Sequence, residues 1–318
     1  MKKALITGVA GFAGGFLAEH LLSQKDFNVI GTYLSEDQLK FTSHIKDMVE
    51  LKKLDLLNSE ATLHLIKSAK PDCVFHLAAL TSPKESFENP SLTITNNIAA
   101  QVNLLEAIRG AGIDSKILII SSADVYGLVN AKDLPIDEET ALMPVSPYAV
   151  SKLTQDFLGL QYFLSYGLQI VRVRPFNHIG PRQSASFVVS SFAKQIAEIE
   201  KRKKEKTIHV GNLSAKRDFT DVRDMMAAYL LALQKGKLGD VYNIGSGVSY
   251  KISEILYTLL SLSTEKIKVE VDKNLLRPKD EPELRCDRSK FTAQTGWEPK
   301  IKIEQTLKDT LDYYRNIV

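Results

Sequence analysis

The stretch Ala4-Leu-Ile-Thr-Gly-Val-Ala-Gly-Phe-Ala-Gly14 decides the fold of this chain. Its first four residues form a short apolar run typical of a buried strand, and apolar residues at helical spacing over 12–23 predict a helix directly after it. Gly8, Gly11 and Gly14 lie in the turn between them, where glycines permit a tight bend and a close approach to a phosphate group at the helix N-terminus. The stretch therefore predicts a dinucleotide-binding turn.

Apolar runs and helical patterns continue to alternate outward from this turn. Strands are predicted at 28–32, 73–77, 116–120 and 169–173, and helices at 60–69, 91–110 and 147–166. Strands that are apolar throughout and separated by helices are typical of a parallel sheet with helices on both faces. The predicted fold class is α/β, a doubly wound parallel sheet (Rossmann) with a smaller C-terminal substrate-binding lobe.

The second half of the chain has a looser pattern. Helices are predicted at 187–199, 222–234, 252–262 and 303–314, and short strands at 207–210, 240–244 and 266–271. These pieces are too short and scattered for a second long parallel sheet. We therefore predict that residues 1–175 form the dinucleotide-binding domain, with later segments contributing strands and helices, and that residues 176–318 form mainly the substrate lobe.

The composition excludes several classes of protein. A net charge of +3 over 318 residues does not indicate nucleic-acid binding. No apolar run approaches the roughly 20 residues that span a membrane, and the first strand begins without a signal-peptide pattern. The two cysteines, Cys73 and Cys286, lack metal-ligand or CxxC spacing and are interpreted as reduced thiols. We expect a cytoplasmic protein, and the spacing of the histidines predicts no metal site.

A second motif, Tyr148-Ala-Val-Ser-Lys152, places a phenol and an ammonium on one face of a predicted helix. A cation near a phenol favours the phenolate, and so lowers the pKa of a group that is a poor acid or base at neutral pH. Ser122 follows the predicted strand at 116–120 and can hydrogen-bond the same substrate oxygen. Ser122, Tyr148 and Lys152 are therefore candidate catalytic residues, which move a proton at an oxygen while a hydride moves at the attached carbon.

These motifs occur in an order that resembles the extended short-chain dehydrogenases/reductases acting on nucleotide sugars, and the resemblance covers essentially the whole chain. The segments that carry it are 8–14, Asp55, His76-Leu-Ala-Ala79, Asn97, 121–127, 148–152 and Arg174-Pro-Phe-Asn177. The stretch Phe176-Asn-His-Ile-Gly-Pro181 is most similar to the GDP-mannose branch, and within it to the GDP-4-keto-6-deoxymannose reductases. The resemblance implies a homodimer formed through a four-helix bundle, to which each subunit contributes the long helices at 91–110 and 147–166.

The resemblance also implies two sets of binding residues. Those expected at the cofactor are Gly8, Gly11, Phe12, Ala13, Gly14, Asp55, Leu56, Leu77, Ala78, Ala79, Asn97, Tyr148, Lys152 and Pro175. Those expected at the GDP-linked 6-deoxyhexose are Asn177, Val188, Val210, Asn212, Arg217, Arg277 and Asp280. The pattern alone also allows Asp55 to be a turn-capping residue. It places Arg217 and Arg277 in loops, where guanidinium groups match a diphosphate.

The tip of the second predicted strand bears on the choice of cofactor. An acid there usually binds the adenosine ribose of NAD, but this strand ends Gly31-Thr-Tyr-Leu-Ser35. The missing acid removes repulsion against a 2′-phosphate, so NADP(H) is favoured and NAD(H) is the alternative.

Three reactions fit the residues that follow the predicted strand at 116–120, Ser122-Ala123-Asp124. Family dehydratases carry a proton donor and a glutamate base there. Ala123 cannot donate a proton, and Asp124 is one methylene shorter than that base. This departure favours NAD(P)H-dependent reduction of the C4 ketone of a GDP-4-keto-6-deoxyhexose to a GDP-6-deoxyhexose, of the GDP-rhamnose type. A 4,6-dehydratase that uses Asp124 and a 4-epimerase are the alternatives, and a cofactor-sensing protein without activity is the fourth interpretation.

Overall fold

The computed structural model describes residues 1–276 and 282–318 of the chain. The helices are α1 (Phe12–Ser23), α2 (Ser59–Ala69), α3 (Pro83–Glu88), α4 (Pro90–Ala111), α5 (Pro147–Tyr166), α6 (Val188–Glu200), α7 (Val222–Lys235), α8 (Ile252–Ser261), α9 (Ser289–Thr295) and α10 (Ile303–Ile317). The strands are β1 (Lys2–Thr7), β2 (Phe27–Tyr33), β3 (Val49–Lys53), β4 (Cys73–His76), β5 (Lys116–Ile120), β6 (Ile170–Pro175), β7 (Asn177–Ile179), β8 (Thr207–Val210), β9 (Lys216–Asp221), β10 (Val241–Ile244), β11 (Ser249–Lys251), β12 (Lys268–Val271) and β13 (Glu283–Leu284).

The main sheet confirms the predicted fold class. Its seven strands run in the order β10-β6-β5-β4-β1-β2-β3, and every neighbouring pair is parallel. The order reverses between β1 and β4, and the crevice at such a switch point is where doubly wound sheets bind ligands. The carboxyl ends of β1, β4, β5 and β6 therefore lie at one edge of the sheet, beside this crevice.

Helices cover the sheet on both faces because its strands are apolar on both sides. The side chains of α1 and α7 pack with one face, and those of α2, α4 and α5 pack with the other. Helices α4 and α5 also pack along each other. These contacts hold the N-terminus of α1 and the first turn of α5 at the crevice.

The second lobe has a core of its own, formed by the apolar faces of α6, α8 and α10 with β8 and β9. Strand β9 pairs with β7, β11 and β13, while β8 pairs with β12. Strand β10 returns from this half of the chain to pair with β6 in the main sheet. The division into residues 1–175 and 176–318 stays a prediction.

The sequence pattern missed several short elements: α3, α9 and the strands β3, β7, β9, β11 and β13. Strand β3 is a sheet edge with the sequence Val-Glu-Leu-Lys-Lys, which has no continuous apolar run. Strand β9 reads Lys-Arg-Asp-Phe-Thr-Asp, yet all but its first residue are buried. Two of its buried side chains are carboxylates, and these accept hydrogen bonds from distant segments: Asp218 from Ser246 and Asp221 from Thr306. A local pattern does not contain those segments. No helix within 1–276 or 282–318 is long and apolar enough to cross a membrane.

Candidate active site

The glycine turn has the shape that a bound diphosphate requires. Gly8 has a φ of +74°, and a Cβ atom at Gly14 would lie 2.2 Å from the carbonyl oxygen of Gly8. Gly11 begins α1 without a side-chain cap, and the first turn of the helix contains no acid. The backbone N–H groups and the positive end of the helix dipole thus face the turn, which fits the pyrophosphate of a dinucleotide.

The residues expected near the adenosine lie beyond β2 and β3. Asp55 is exposed and its Oδ1 accepts a hydrogen bond from the backbone N–H of Leu57 at 2.9 Å. Asp55 therefore has the turn-capping role that the sequence allowed. Leu56 is buried beside it, and contact of either residue with an adenine stays a prediction. At the tip of β2 the Tyr33 hydroxyl donates to Glu36 at 2.9 Å.

Asn97 was expected at the cofactor, but its side chain lies in the protein interior. Its side chain is fully buried, where Oδ1 accepts from the N–H of Leu80 at 2.8 Å and Nδ2 donates to the Leu80 carbonyl and to Ser151. This amide is committed inside the protein, so Asn97 fixes the segment after β4 rather than contacting the cofactor itself. Within that segment Leu77, Ala78 and Ala79 are half-buried, and Ala78 lies directly against Gly8.

The three catalytic candidates meet at the carboxyl end of β5. Tyr148 lies in the first turn of α5, which Pro147 begins and the Ser146 side chain caps. Ser122 follows β5, and its side chain hydrogen-bonds Tyr148. Lys152 lies one helical turn after Tyr148, and Tyr148, Ser122 and Lys152 are all at most 9% exposed. The predicted set is thus assembled in one buried place.

The electrostatics of Tyr148 differ from the expectation. Lys152 was predicted to lower the pKa of the phenol, but the net shift is upward. Burial raises the pKa of Tyr148 most, the negative charge of Asp124 raises it further, and the hydrogen bond with Ser122 opposes both. Burial in turn lowers the pKa of Lys152 to about 7, against the attraction of Asp156. The phenol is therefore held in its protonated form, as a proton donor requires.

Ala123 and Asp124 have distinct surroundings. Ala123 is 3% exposed and packs in the cluster that surrounds Tyr126. Asp124 is half-buried, its backbone N–H donates to Ser122 Oγ at 3.1 Å, and its charge acts on Tyr148. A carboxylate thus lies near the phenol, whereas the position before it offers only a methyl group.

Pro175, expected at the cofactor, ends β6 and is buried. The expected substrate residues divide between the crevice and the second lobe. Asn177 is exposed at the start of β7, and Val188 is exposed at the start of α6. Asn212 is half-buried, and its Oδ1 accepts hydrogen bonds from both the N–H and the hydroxyl of Ser214. Asn177 and Val188 therefore have surface to offer a ligand.

Two of the expected substrate residues need correction, and two lie outside the described residues. Val210 is 0% exposed in the core of the second lobe, so it has no surface for a nucleotide base. Arg217 lies in strand β9 rather than in a loop, and its Nη1 donates to the Lys216 carbonyl at 2.8 Å. Arg217 is 9% exposed. Arg277 and Asp280 fall in 277–281, outside the described residues.

Sequence reasoning missed two polar residues that the fold places at the site. Gln155 lies one turn beyond Lys152, and its Oε1 accepts a hydrogen bond from Lys152 Nζ at 2.7 Å. The only sequence signal was the three-residue spacing from Lys152. His178 stacks on Phe12 of the glycine turn with ring centroids 5.9 Å apart. Across 1–276 and 282–318, no three His, Cys, Asp or Glu side chains form a group that could hold a metal.

A phosphate-binding turn beside a buried Ser–Tyr–Lys set defines the class of NAD(P)-dependent oxidoreductases of the extended short-chain dehydrogenase/reductase type. The family model described as GDP-mannose 4,6 dehydratase matches residues 5–310. This chain belongs to that family, as its motifs predicted.

Individual relatives cover the chain almost completely. It is 35% identical over 317 residues to the GDP-6-deoxy-D-mannose reductase of Pseudomonas aeruginosa, an alignment that covers 100% of this chain and 98% of the relative. It is 31% identical over 328 residues to GDP-mannose 4,6 dehydratase 1 of Arabidopsis thaliana, covering 98% of this chain and 89% of the relative.

Solved structures of nucleotide-sugar enzymes also superpose on the whole chain. The structure of RMD from Pseudomonas aeruginosa complexed with NADPH superposes with a TM-score of 0.87 at 34% identity, covering 100% of both chains. The Thermus thermophilus UDP-glucose 4-epimerase complex with NAD superposes with a TM-score of 0.86 at 29% identity, covering 99% of this chain and 100% of that one. The fold is therefore shared by reductases and epimerases, and the site must distinguish them.

Proposed function

We propose that this enzyme uses NADPH to reduce the C4 ketone of a GDP-4-keto-6-deoxyhexose, giving a GDP-6-deoxyhexose of the GDP-rhamnose type. The observation that carries the proposal is the Tyr148 phenol, which is hydrogen-bonded to Ser122 and has a raised pKa. A ketone reductase needs a proton donor at the carbonyl oxygen and no base at C5. The full-length similarity to the reductase of Pseudomonas aeruginosa supports the same reaction.

Each residue has one role in this proposal. NADPH, when bound, supplies the hydride that C4 receives. Tyr148 gives its phenolic proton to the ketone oxygen, so that hydride and proton together convert C=O to CH–OH. The Ser122 hydroxyl hydrogen-bonds the same oxygen, and the Lys152 ammonium makes the loss of the Tyr148 proton easier. Gly8, Gly11 and Gly14 hold the pyrophosphate of NADPH, and NADH is the second choice.

Dehydration of GDP-mannose is the second candidate because of Asp124. This carboxylate is near enough to Tyr148 for its charge to raise the pKa of the phenol. A carboxylate in that place could remove a proton from C5 of a bound sugar. Against this stands Ala123, whose buried methyl group cannot protonate the departing hydroxyl.

A coupled assay separates the candidates. GDP-4-keto-6-deoxymannose is generated from GDP-mannose by a known dehydratase, and NADPH oxidation is followed by absorbance. Oxidation that requires the keto sugar supports the reductase, and analysis of the product then assigns the configuration at C4. A keto product formed by this protein from GDP-mannose alone would instead identify a dehydratase.

A cytoplasmic homodimer is part of the proposal. Helices α4 and α5 pack along each other, and their outer faces expose the apolar side chains of Leu92, Phe157 and Leu164. A matching pair of helices from a second copy would bury these side chains in a four-helix bundle. Sedimentation of the wild type as a dimer and of Phe157→Glu as a monomer would support this arrangement, whereas a monomeric wild type would refute it.

A further inference from the structure

Lys152 has a specific partner behind the active site. Its Nζ donates to Oε1 of Gln155 at 2.7 Å. Gln155 is fully buried and Lys152 is 4% exposed. An ammonium removed from water in this way needs an acceptor, and the acceptor here is a neutral amide rather than a carboxylate. The charge of Lys152 is thus solvated without being neutralised.

The orientation of the Gln155 amide is fixed by its other contacts. Its Nε2 donates to the carbonyl oxygen of Asn97 at 2.9 Å and lies 3.4 Å from Nε2 of His76. A rotated amide would place its oxygen against the Asn97 carbonyl and its NH₂ group against the ammonium, and both contacts would be repulsive. Gln155 therefore has to present its oxygen to Lys152.

His76, at the end of strand β4, contacts the other side of the Gln155 amide. Burial, and then the charge of Lys152, lower the pKa of His76 to about 3, so the ring is neutral. Its Nε2 accepts from Gln155, which leaves the proton on Nδ1 to be donated to Thr7 Oγ1 at 2.9 Å. Thr7 ends β1 directly before Gly8. A chain of hydrogen bonds thus joins the glycine turn to Lys152.

Charged and titratable groups near Lys152 lie on α5 and on β4. On α5 they are Tyr148 and Asp156, and the Asp156 carboxylate is already bound by Arg172 at 2.5 Å and Arg174 at 2.7 Å. On β4 the group is the neutral His76. Asp156 is thus shared with two guanidinium groups, and the hydrogen-bond acceptor that the structure gives Nζ is Gln155.

We propose that Gln155 is a positioning residue, whose amide oxygen holds the charged Lys152 ammonium in place on the Tyr148 face of α5 during reduction. Its effect on the reaction rests on the proposed function, whereas its effect on Lys152 rests on the geometry alone. A hydrogen bond to the charged form favours that form. The ammonium should therefore lose its proton earlier when the acceptor is removed, and later when the acceptor becomes a carboxylate.

Titration of Lys152 tests the proposal without any substrate. The protein is labelled with lysine carrying ¹³C at Cε, and Lys152→Met identifies the Lys152 resonance. We expect the wild type to titrate with a pKa of about 7. The midpoint should be about one pH unit lower in Gln155→Met, which has a similar volume and no acceptor, and about one unit or more higher in Gln155→Glu. Equal midpoints in the folded variants would overturn the proposal.

Kinetics test whether the reaction uses this contact. At alkaline pH, kcat/KM for NADPH-dependent reduction should fall as Lys152 loses its proton. The pH at which it falls should therefore be lower in Gln155→Met and higher in Gln155→Glu, by the same amount as the Lys152 titration midpoint. Above the wild-type midpoint, kcat of Gln155→Met should be about ten-fold lower while KM for the keto sugar is nearly unchanged, because one pH unit is a factor of ten in the charged fraction. A fall of kcat/KM that stays at the same pH while the midpoint moves would overturn the role in reduction.

Gln101→Met is the matched control. Gln101 is a buried amide in the same cluster, but its Nε2 donates to the backbone carbonyl of Gln155 at 2.7 Å and not to the Gln155 side chain. Its loss should leave both the midpoint and the pH at which kcat/KM falls unchanged. An equal shift in Gln101→Met would mean that general loosening, not the Gln155 oxygen, controls Lys152. A wild type that does not oxidise NADPH with the keto sugar would refute the proposed function. The titration would still show whether the Gln155 oxygen stabilises the charged form of Lys152.

Discussion

The cofactor region and the second lobe are assembled in different ways. In the cofactor region the important side chains come from short local motifs, such as 8–14 and 148–152, placed at the ends of parallel strands. In the lobe, strand β9 is charged in sequence and buried in the fold, and it is surrounded by three short strands from distant parts of the chain. Local motifs therefore define the first region, and contacts between distant segments define the second.

The largest effect on activity is expected from a change in the cofactor region, at Tyr148. Tyr148→Phe removes the proposed proton donor and should lower kcat about 10³-fold, within the usual range for general acid catalysis. NADPH binding should persist, because the glycine turn is untouched. The NADPH oxidation assay measures the first effect and fluorescence titration the second, and a variant that keeps most of its activity would remove Tyr148 from the mechanism.

The glycine turn should respond next most strongly. A side chain at Gly14 would collide with the Gly8 carbonyl oxygen, 2.2 Å from the position of Cβ. Gly14→Val should therefore raise the Kd for NADPH about 100-fold, equivalent to about 2.7 kcal/mol. The control is Gly110→Ala in α4, where Cβ would meet only Leu63 Cδ1 at 3.9 Å. This control should bind NADPH normally and gain up to about 1 kcal/mol of stability.

In the lobe, a core residue should affect stability and not the reaction. Val210→Ala should lower the free energy of unfolding by about 2 kcal/mol, because Val210 is fully buried. KM for the keto sugar should stay at the wild-type value. Chemical denaturation and steady-state kinetics report the two quantities, and a raised KM in a stably folded variant would restore Val210 to the substrate site.

The smallest expected effect concerns the guanidinium on β9. Arg217→Lys retains the charge and loses the planar fork that matches a diphosphate, so KM should rise about ten-fold with little change in kcat. The control is Arg223→Lys, since the Arg223 guanidinium is already paired with Asp221 and Asp309. An equal rise in both variants would show that loss of arginine in this lobe, rather than contact with substrate, is responsible.

These two regions also differ in how well the sequence predicted them. Helix α1 and strand β8 were predicted to the residue, and the candidate residues Ser122, Tyr148 and Lys152 lie near one another in the structure, while their catalytic role stays a prediction. The wrong predictions concern the surroundings of individual side chains. Asn97 binds its own protein, Val210 is core, and the pKa of Tyr148 is raised rather than lowered. Each error depends on how deeply the group is buried, which the fold sets through segments far away in sequence.

The sequence by itself determined the parallel sheet, the dinucleotide turn and the residues able to move a proton, because these depend on backbone freedom and on the periodicity of side chains along one segment. Only the tertiary structure decided the charge states and partners of those residues. Burial of Lys152 lowers the pKa of its ammonium, and the packed interior aligns the amide of Gln155 with it. The physical reason is that desolvation and hydrogen-bond geometry are properties of an assembled interior, in which Thr7, His76 and Gln155 become neighbours although the chain separates them widely.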